Sequence, residues 1–192
     1  LLYHRYSKND IKEPYEPLIN GIRYYYQKLF SNEMDVSEFI DRCDVYSLHK
    51  EIFISYLSTG VAHRTEQIIT SEVPYEMKKF IQSIIKCYSY ISVKTPLLIV
   101  LDRFQYAGKS SMKVINELMN NIDGLNIKLL IIYNELQSPL SYIEEYFNEM
   151  INKAEDMNII FEWKSDKELD YGNYHSTFIP NRRFFGDYLV KL

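Results

Sequence analysis

The stretch "TPLLIVLDRFQYAGKSSMKV", residues 95–114, followed by "IKLLIIY", residues 127–133, decides how this chain folds. The short apolar runs at 96–101 and 127–133 have the composition of strands buried on both faces of a parallel sheet. Between them, "MKVINELMNNI" (112–122) has helical spacing. Ser110 or Ser111 is placed to cap its start, and Gly124 to end it. Strand, helix and strand within residues 96–133 make a βαβ unit, for which a right-handed crossover is expected.

The flanking sequence extends the same pattern. Residues 1–7 alternate as a short strand, and "SKNDIKEPYEP" (7–17) is a loop in which Pro14 and Pro17 block regular structure. Pro17 suits the first turn of the next helix. "LINGIRYYYQKLF" (18–30) puts Leu18, Ile22, Tyr25, Tyr26 and Leu29 at helical spacing, so its tyrosines are read as packing residues. Further helices are expected over 36–43 and 45–57, and a long amphipathic one over 71–93, opening at Ser71. After the βαβ unit, 139–156 reads as a helix, 158–164 as a strand, and "IPNRRFFGDYLVKL" as a helix beginning near Asn181.

Composition narrows the function. The chain has 192 residues, 46% of them hydrophobic, enough for one domain with a real core. Its formal net charge of −4 comes without a basic stripe, which argues against nucleic acid as a partner. Cys43 and Cys87 lack CxxC spacing, and buried inert thiols in a reducing cytosol are the expectation. No window of about 18 apolar residues and no signal-peptide pattern occurs, so a cytoplasmic chain without membrane contact is expected. The chain opens at Leu1, directly inside an apolar segment, which reads as a fragment of something larger.

The chemistry rests on one loop. A phosphate loop requires GxxxxGK[ST], whose first glycine allows the tight turn and whose Lys and hydroxyl serve phosphate and magnesium. Gly108-Lys109-Ser110 supplies the end of that motif, but Arg103 stands where the first glycine belongs. A kinase-like phosphotransferase using these three residues is therefore the weakest functional reading. The competing reading takes "LLIVLD", with Asp102 at the carboxyl end of a strand, as a Walker B arrangement in which the carboxylate holds nucleotide-bound magnesium. The bland alternative makes Asp102 a turn cap and Arg103 and Lys109 solvated loop cations. His4, His49, His63 and His175 lack metal-ligand spacing and are assigned no role; "HRTEQ" (63–67) and "DRCD" (41–44) read as solvated surface.

"PLLIVLDRFQYAGKSSMKVINELM" followed by "IKLLIIYNELQS" resembles the middle of the ATPase module of the large bacterial signal-transduction ATPases called STAND proteins, relatives of the AAA+ ATPases. That module reads as an apolar strand, an acidic pair, Leu-His-Trp-Ala-Asp, a Ser-Ser helix start and a second strand ending near a Thr-Tyr-Arg sensor. Asp102 falls on the first acidic position and Arg103 on the second; Ser110 and Ser111 fall on the serines, and Tyr133 and Asn134 on the Tyr-Arg of the sensor. "EPYEPLINGIRYYYQKL" (13–29) resembles the Pro-Tyr-x-Pro-Leu helix after the family's second strand. The resemblance covers roughly residues 1–163.

The resemblance implies a three-layer α/β domain of the P-loop NTPase class, mostly parallel, with its first strand and phosphate loop missing. Its core fragment would run over 1–165, and 166–192 would be a linker and the start of a following helical segment. Asp102 would ligate magnesium and Asn134 would contact nucleotide, with ATP and Mg2+ as cofactors of the intact parent. No catalytic residue is assigned, because Arg103 in place of the second acid cannot act as a general base. The implied function is a degenerate nucleotide-binding regulatory module of a signalling protein. The alternative is a noncatalytic interaction scaffold that has lost nucleotide binding. The partners implied are other domains of the parent and, through sheet edges left open by the missing central strand, a second copy of the chain unless another segment fills the gap. Glu135 is a weaker substitute for the missing acid.

Overall fold

The computed structural model describes residues 1–7, 15–60, 73–122 and 124–133, together with 149, 152, 160–162 and 188–191. The chain is an α/β protein built on a parallel sheet. Strand β1 (Leu2–Arg5) leads into four helices: α1 (Glu16–Leu29), α2 (Val36–Arg42), α3 (Ser47–Thr59) and α4 (Val73–Lys94). Then come β2 (Leu97–Asp102), a single 3-10 turn (Phe104–Tyr106), α5 (Lys109–Asn121) and β3 (Ile127–Tyr133). Two short strands, β4 (Ile160–Glu162) and β5 (Tyr188–Lys191), extend the sheet, whose order is β1-β2-β3-β5-β4 with every pairing parallel.

The βαβ unit over 96–133 forms as its pattern predicts. Leu97, Ile99 and Leu101 pair in register with Ile127, Leu129 and Ile131, and all six are buried on one face. Both crossovers, β1 to β2 through α1–α4 and β2 to β3 through α5, advance in the same direction along the sheet. A right-handed crossover therefore sets these helices on that one face. Residues of the opposite face, such as Tyr3 and Leu98, stay open to solvent. The three-layer expectation, which requires helices on that opposite face as well, concerns residues outside the described ones.

Local chemistry explains the helices. α1 carries Pro17 in its first turn, where a missing N–H costs nothing, and buries Leu18, Ile22, Tyr25 and Tyr26. These tyrosines are packing residues, as the period implies. Gly21 lets α1 approach closely: a Cβ there would lie 2.4 Å from the Tyr88 hydroxyl and 2.5 Å from a Leu2 methyl carbon. The Tyr88 hydroxyl then donates to the Leu18 carbonyl at 2.7 Å, tying α4 to α1. α2 is capped by Asp35, whose carboxylate accepts from the Glu38 N–H at 2.8 Å. α3 ends at Gly60, in the left-handed region at φ 80°, and Arg23 Nε donates to the Leu57 carbonyl at 3.2 Å near that end.

Two expectations are corrected. Neither Ser110 nor Ser111 caps α5: Gly108 holds the N-cap position without a side-chain bond, and Ser111 is buried inside the first turn. The helix expected from Asn181 does not run through 188–191, which is strand β5. Tyr188, Leu189 and Val190 are residues that suit a pleated surface, and pairing to β3 on one side and β4 on the other overrides the local helical pattern. The strand expected over 158–164 is present as β4. Because β5 lies between β3 and β4, an interior position of the sheet is taken by the last strand in the sequence. Of the helix expected over 139–156, residues 149 and 152 are described and both are helical, and the rest lies outside the described residues.

Candidate functional site

β2 delivers Asp102 to the carboxyl end of the sheet, the edge at which open α/β folds bind ligands. The β1–β2 register sets Arg5 opposite Asp102 and Tyr3 opposite Val100. Alternation along the strands then puts Tyr3, Arg5 and Asp102 on one face. The Tyr3 hydroxyl donates to Asp102 Oδ2 at 2.9 Å, and Arg5 Nε lies 3.3 Å from the same oxygen. One step beyond the strand, the Tyr6 N–H donates to the Asp102 carbonyl at 2.9 Å. Desolvation, and after it the hydrogen bond to Asp102, pushes the Tyr3 phenol above its ordinary value, so it remains a donor through the physiological range.

Arg103, the next residue, takes a left-handed conformation at φ 54° and ψ 44°. For a residue with a side chain this costs about 1 kcal/mol. The 3-10 turn holds the strain in place: the Tyr106 N–H donates to the Arg103 carbonyl at 3.0 Å, and Phe104 is fully buried against Tyr6. Gln105 and Ala107 are buried as well. The loop is thus a packed turn, with three side chains directed into the protein where a phosphate cradle would present bare backbone amides.

Gly108 has φ −71° and ψ 156°, extended backbone that any residue adopts, so it makes no left-handed cradle. Lys109 is exposed, and the Ser110 hydroxyl hydrogen-bonds the Tyr15 phenol. Gly108-Lys109-Ser110 forms the start of α5, with Gly108 at its N-cap. Asn134 and Glu135 lie outside the described residues, so only Asp102 of the two assigned site residues can be placed.

The described residues do not fit a magnesium centre by themselves. Mg2+ takes near-octahedral oxygen ligands, and Asp102 is a lone carboxylate with one oxygen already shared by Tyr3 and Arg5 and with Arg103 beside it. No group of three or more His, Cys, Asp or Glu side chains able to hold a metal occurs among the described residues. No family model, characterised protein or solved structure matches this chain. What the site can do chemically therefore rests on its own geometry: it joins the ends of two strands through a shared carboxylate oxygen.

Two further groups lie away from this loop. Cys43 and Cys87 are both buried, and Cys87 is pushed well above the ordinary thiol value by burial first and by its hydrogen bond to Cys43. A thiol in that state is inert. His49, to which sequence spacing assigns no role, is buried at 5% exposure, with its Nε2 3.2 Å from Glu76 Oε2. Its partner is far along the chain on another helix, a separation that no local motif reports. No described helix is long and apolar enough to cross a membrane.

Proposed function

We propose that this chain is an ATPase-like regulatory module that works through protein contacts, and that Asp102 serves it as a strand clamp in place of a magnesium ligand. The observation that carries the reading is the convergence of Tyr3 and Arg5 on a single oxygen of Asp102. A hydrated Mg2+ bound there would have to share that oxygen with two donors and sit beside two guanidinium groups, a cost that nucleotide-bound magnesium does not meet in a working Walker B site. The parallel sheet, the apolar strand ending in Asp102 and the α5 crossover support ATPase-like ancestry. So does β5 in an interior position, since the resemblance makes the missing strand a central one. Partners in this reading are other domains of a parent signalling polypeptide or a second copy of the chain.

A second reading, regulation by bound ATP without hydrolysis, is favoured by the place of Asp102 at the carboxyl end of an interior parallel strand. Calorimetric titration of ATP with magnesium into the protein and into Asp102→Ala separates the two. The scaffold reading expects the same null heat from both. Saturable binding lost in Asp102→Ala establishes the nucleotide reading instead, and binding lost in Lys109→Ala but kept in Asp102→Ala returns the phosphate role to the Gly108 loop.

A further inference from the structure

The junction of α3 with α4 holds an ionisable pair that the proposed function does not use. His49 sits in the first turn of α3, its ring edge-on to Phe80 at 5.4 Å and to Tyr46 at 6.4 Å. Nε2 faces Glu76 Oε2 at 3.2 Å, while Nδ1 is buried with no hydrogen-bond partner. That pattern selects one state. Neutral imidazole with its proton on Nε2 donates to the Glu76 carboxylate and leaves Nδ1 bare in an apolar box, where a lone pair is cheaper than an N–H lacking an acceptor. The neighbouring contacts fasten the same two helices: the Tyr46 hydroxyl bonds Gln82 at 3.1 Å, and Phe53 packs on Phe80 at 5.2 Å.

We propose that His49 and Glu76 form an acid-released latch, closed while His49 is neutral and opened by proton uptake at Nδ1, which frees the α2–α3 pair from α4. Among the described residues, the charged and titratable groups facing the pair are Glu76 and Lys79 of α4 and Tyr46 at the start of α3. α2 contributes Asp41, bound to Lys50, and α1 contributes Arg23 at the far end of α3. Burial is the largest influence holding His49 below its ordinary value and Lys79 acts in the same sense, while Glu76 opposes both. The folded state thus binds its proton later than the unfolded chain, so stability is present above the free imidazole range and lost as pH falls through the folded value. Released α2–α3 would uncover Phe53, Phe80 and Ile84, an apolar surface available only in acid.

The test is amide hydrogen exchange on the protein between about pH 7 and pH 5, corrected for intrinsic rates, beside the imidazole nitrogen shifts of His49. The expected result is an increase of about tenfold in opening, confined to α2, α3 and the first turns of α4, with a midpoint that tracks His49. His49→Gln, which keeps a donor to Glu76 and cannot take up the proton, should abolish the acid response. Opening that is global, or that is identical in His49→Gln, overturns the latch. Should His49→Gln fail to fold, the wild-type comparison decides alone: a midpoint unrelated to the His49 shifts overturns it.

Discussion

Among the acid–base pairs that join neighbouring elements in the described residues, Arg5–Asp102 and His49–Glu76 sit in opposite environments. Arg5–Asp102 ties β1 to β2 at the carboxyl end of the sheet, with the Arg5 side chain 54% exposed. His49–Glu76 ties α3 to α4 with side chains only 7% and 15% exposed. An exposed pair is screened by water and salt and is worth about 0–1 kcal/mol. A buried donor or acceptor that loses its partner forfeits about 1–3 kcal/mol, because nothing replaces the bond. The pair at the position where sequence pattern points to function is therefore the energetically minor one, and the pair that no motif marks matters more to the fold.

The largest effect is expected from breaking the buried side. Phe53 is fully buried between α3 and Phe80, and Phe53→Ala should lower unfolding free energy by about 3–5 kcal/mol, read as a shifted urea midpoint at unchanged slope. Glu76→Ala removes the acceptor of the His49 N–H and should cost about 1–3 kcal/mol at neutral pH, with Glu76→Gln recovering most of it. This difference should shrink in acid, where the wild-type latch is itself lost.

The exposed side should respond weakly, and one change there should stabilise. Arg103→Gly relieves the left-handed strain at φ 54° and should raise stability by about 0.5–1 kcal/mol, seen as a higher thermal midpoint. Arg5→Ala should cost at most about 1 kcal/mol and less as salt is added. A larger, salt-independent loss from Arg5→Ala would erase the contrast between the two pairs.

The same contrast explains what could be read from sequence. The βαβ unit over 96–133 was legible because its apolar runs and helical period are local, and the tyrosines of α1 were legible as packing for the same reason. Asp102 was legible as a strand-end carboxylate, but not its partners. Tyr3 and Arg5 reach it only through the β1–β2 register, which four intervening helices separate in sequence. The left-handed Arg103 was hidden because nothing in "DRFQYAG" marks a residue held there by the burial of Phe104, Gln105 and Ala107. β5 was misread because Tyr188–Lys191 is too short to display a period, and its strand state comes from the two neighbours that pair with it.

The central claim, that Asp102 clamps strands in place of binding magnesium, is tested most directly by Mn2+ used as a paramagnetic stand-in for Mg2+ in the presence of ATP. With backbone amides observed by heteronuclear NMR, the account predicts no broadening centred on residues 101–103 and the same spectral response in the protein and in Asp102→Asn. Selective broadening at Asp102 and its neighbours that disappears in Asp102→Asn would contradict it.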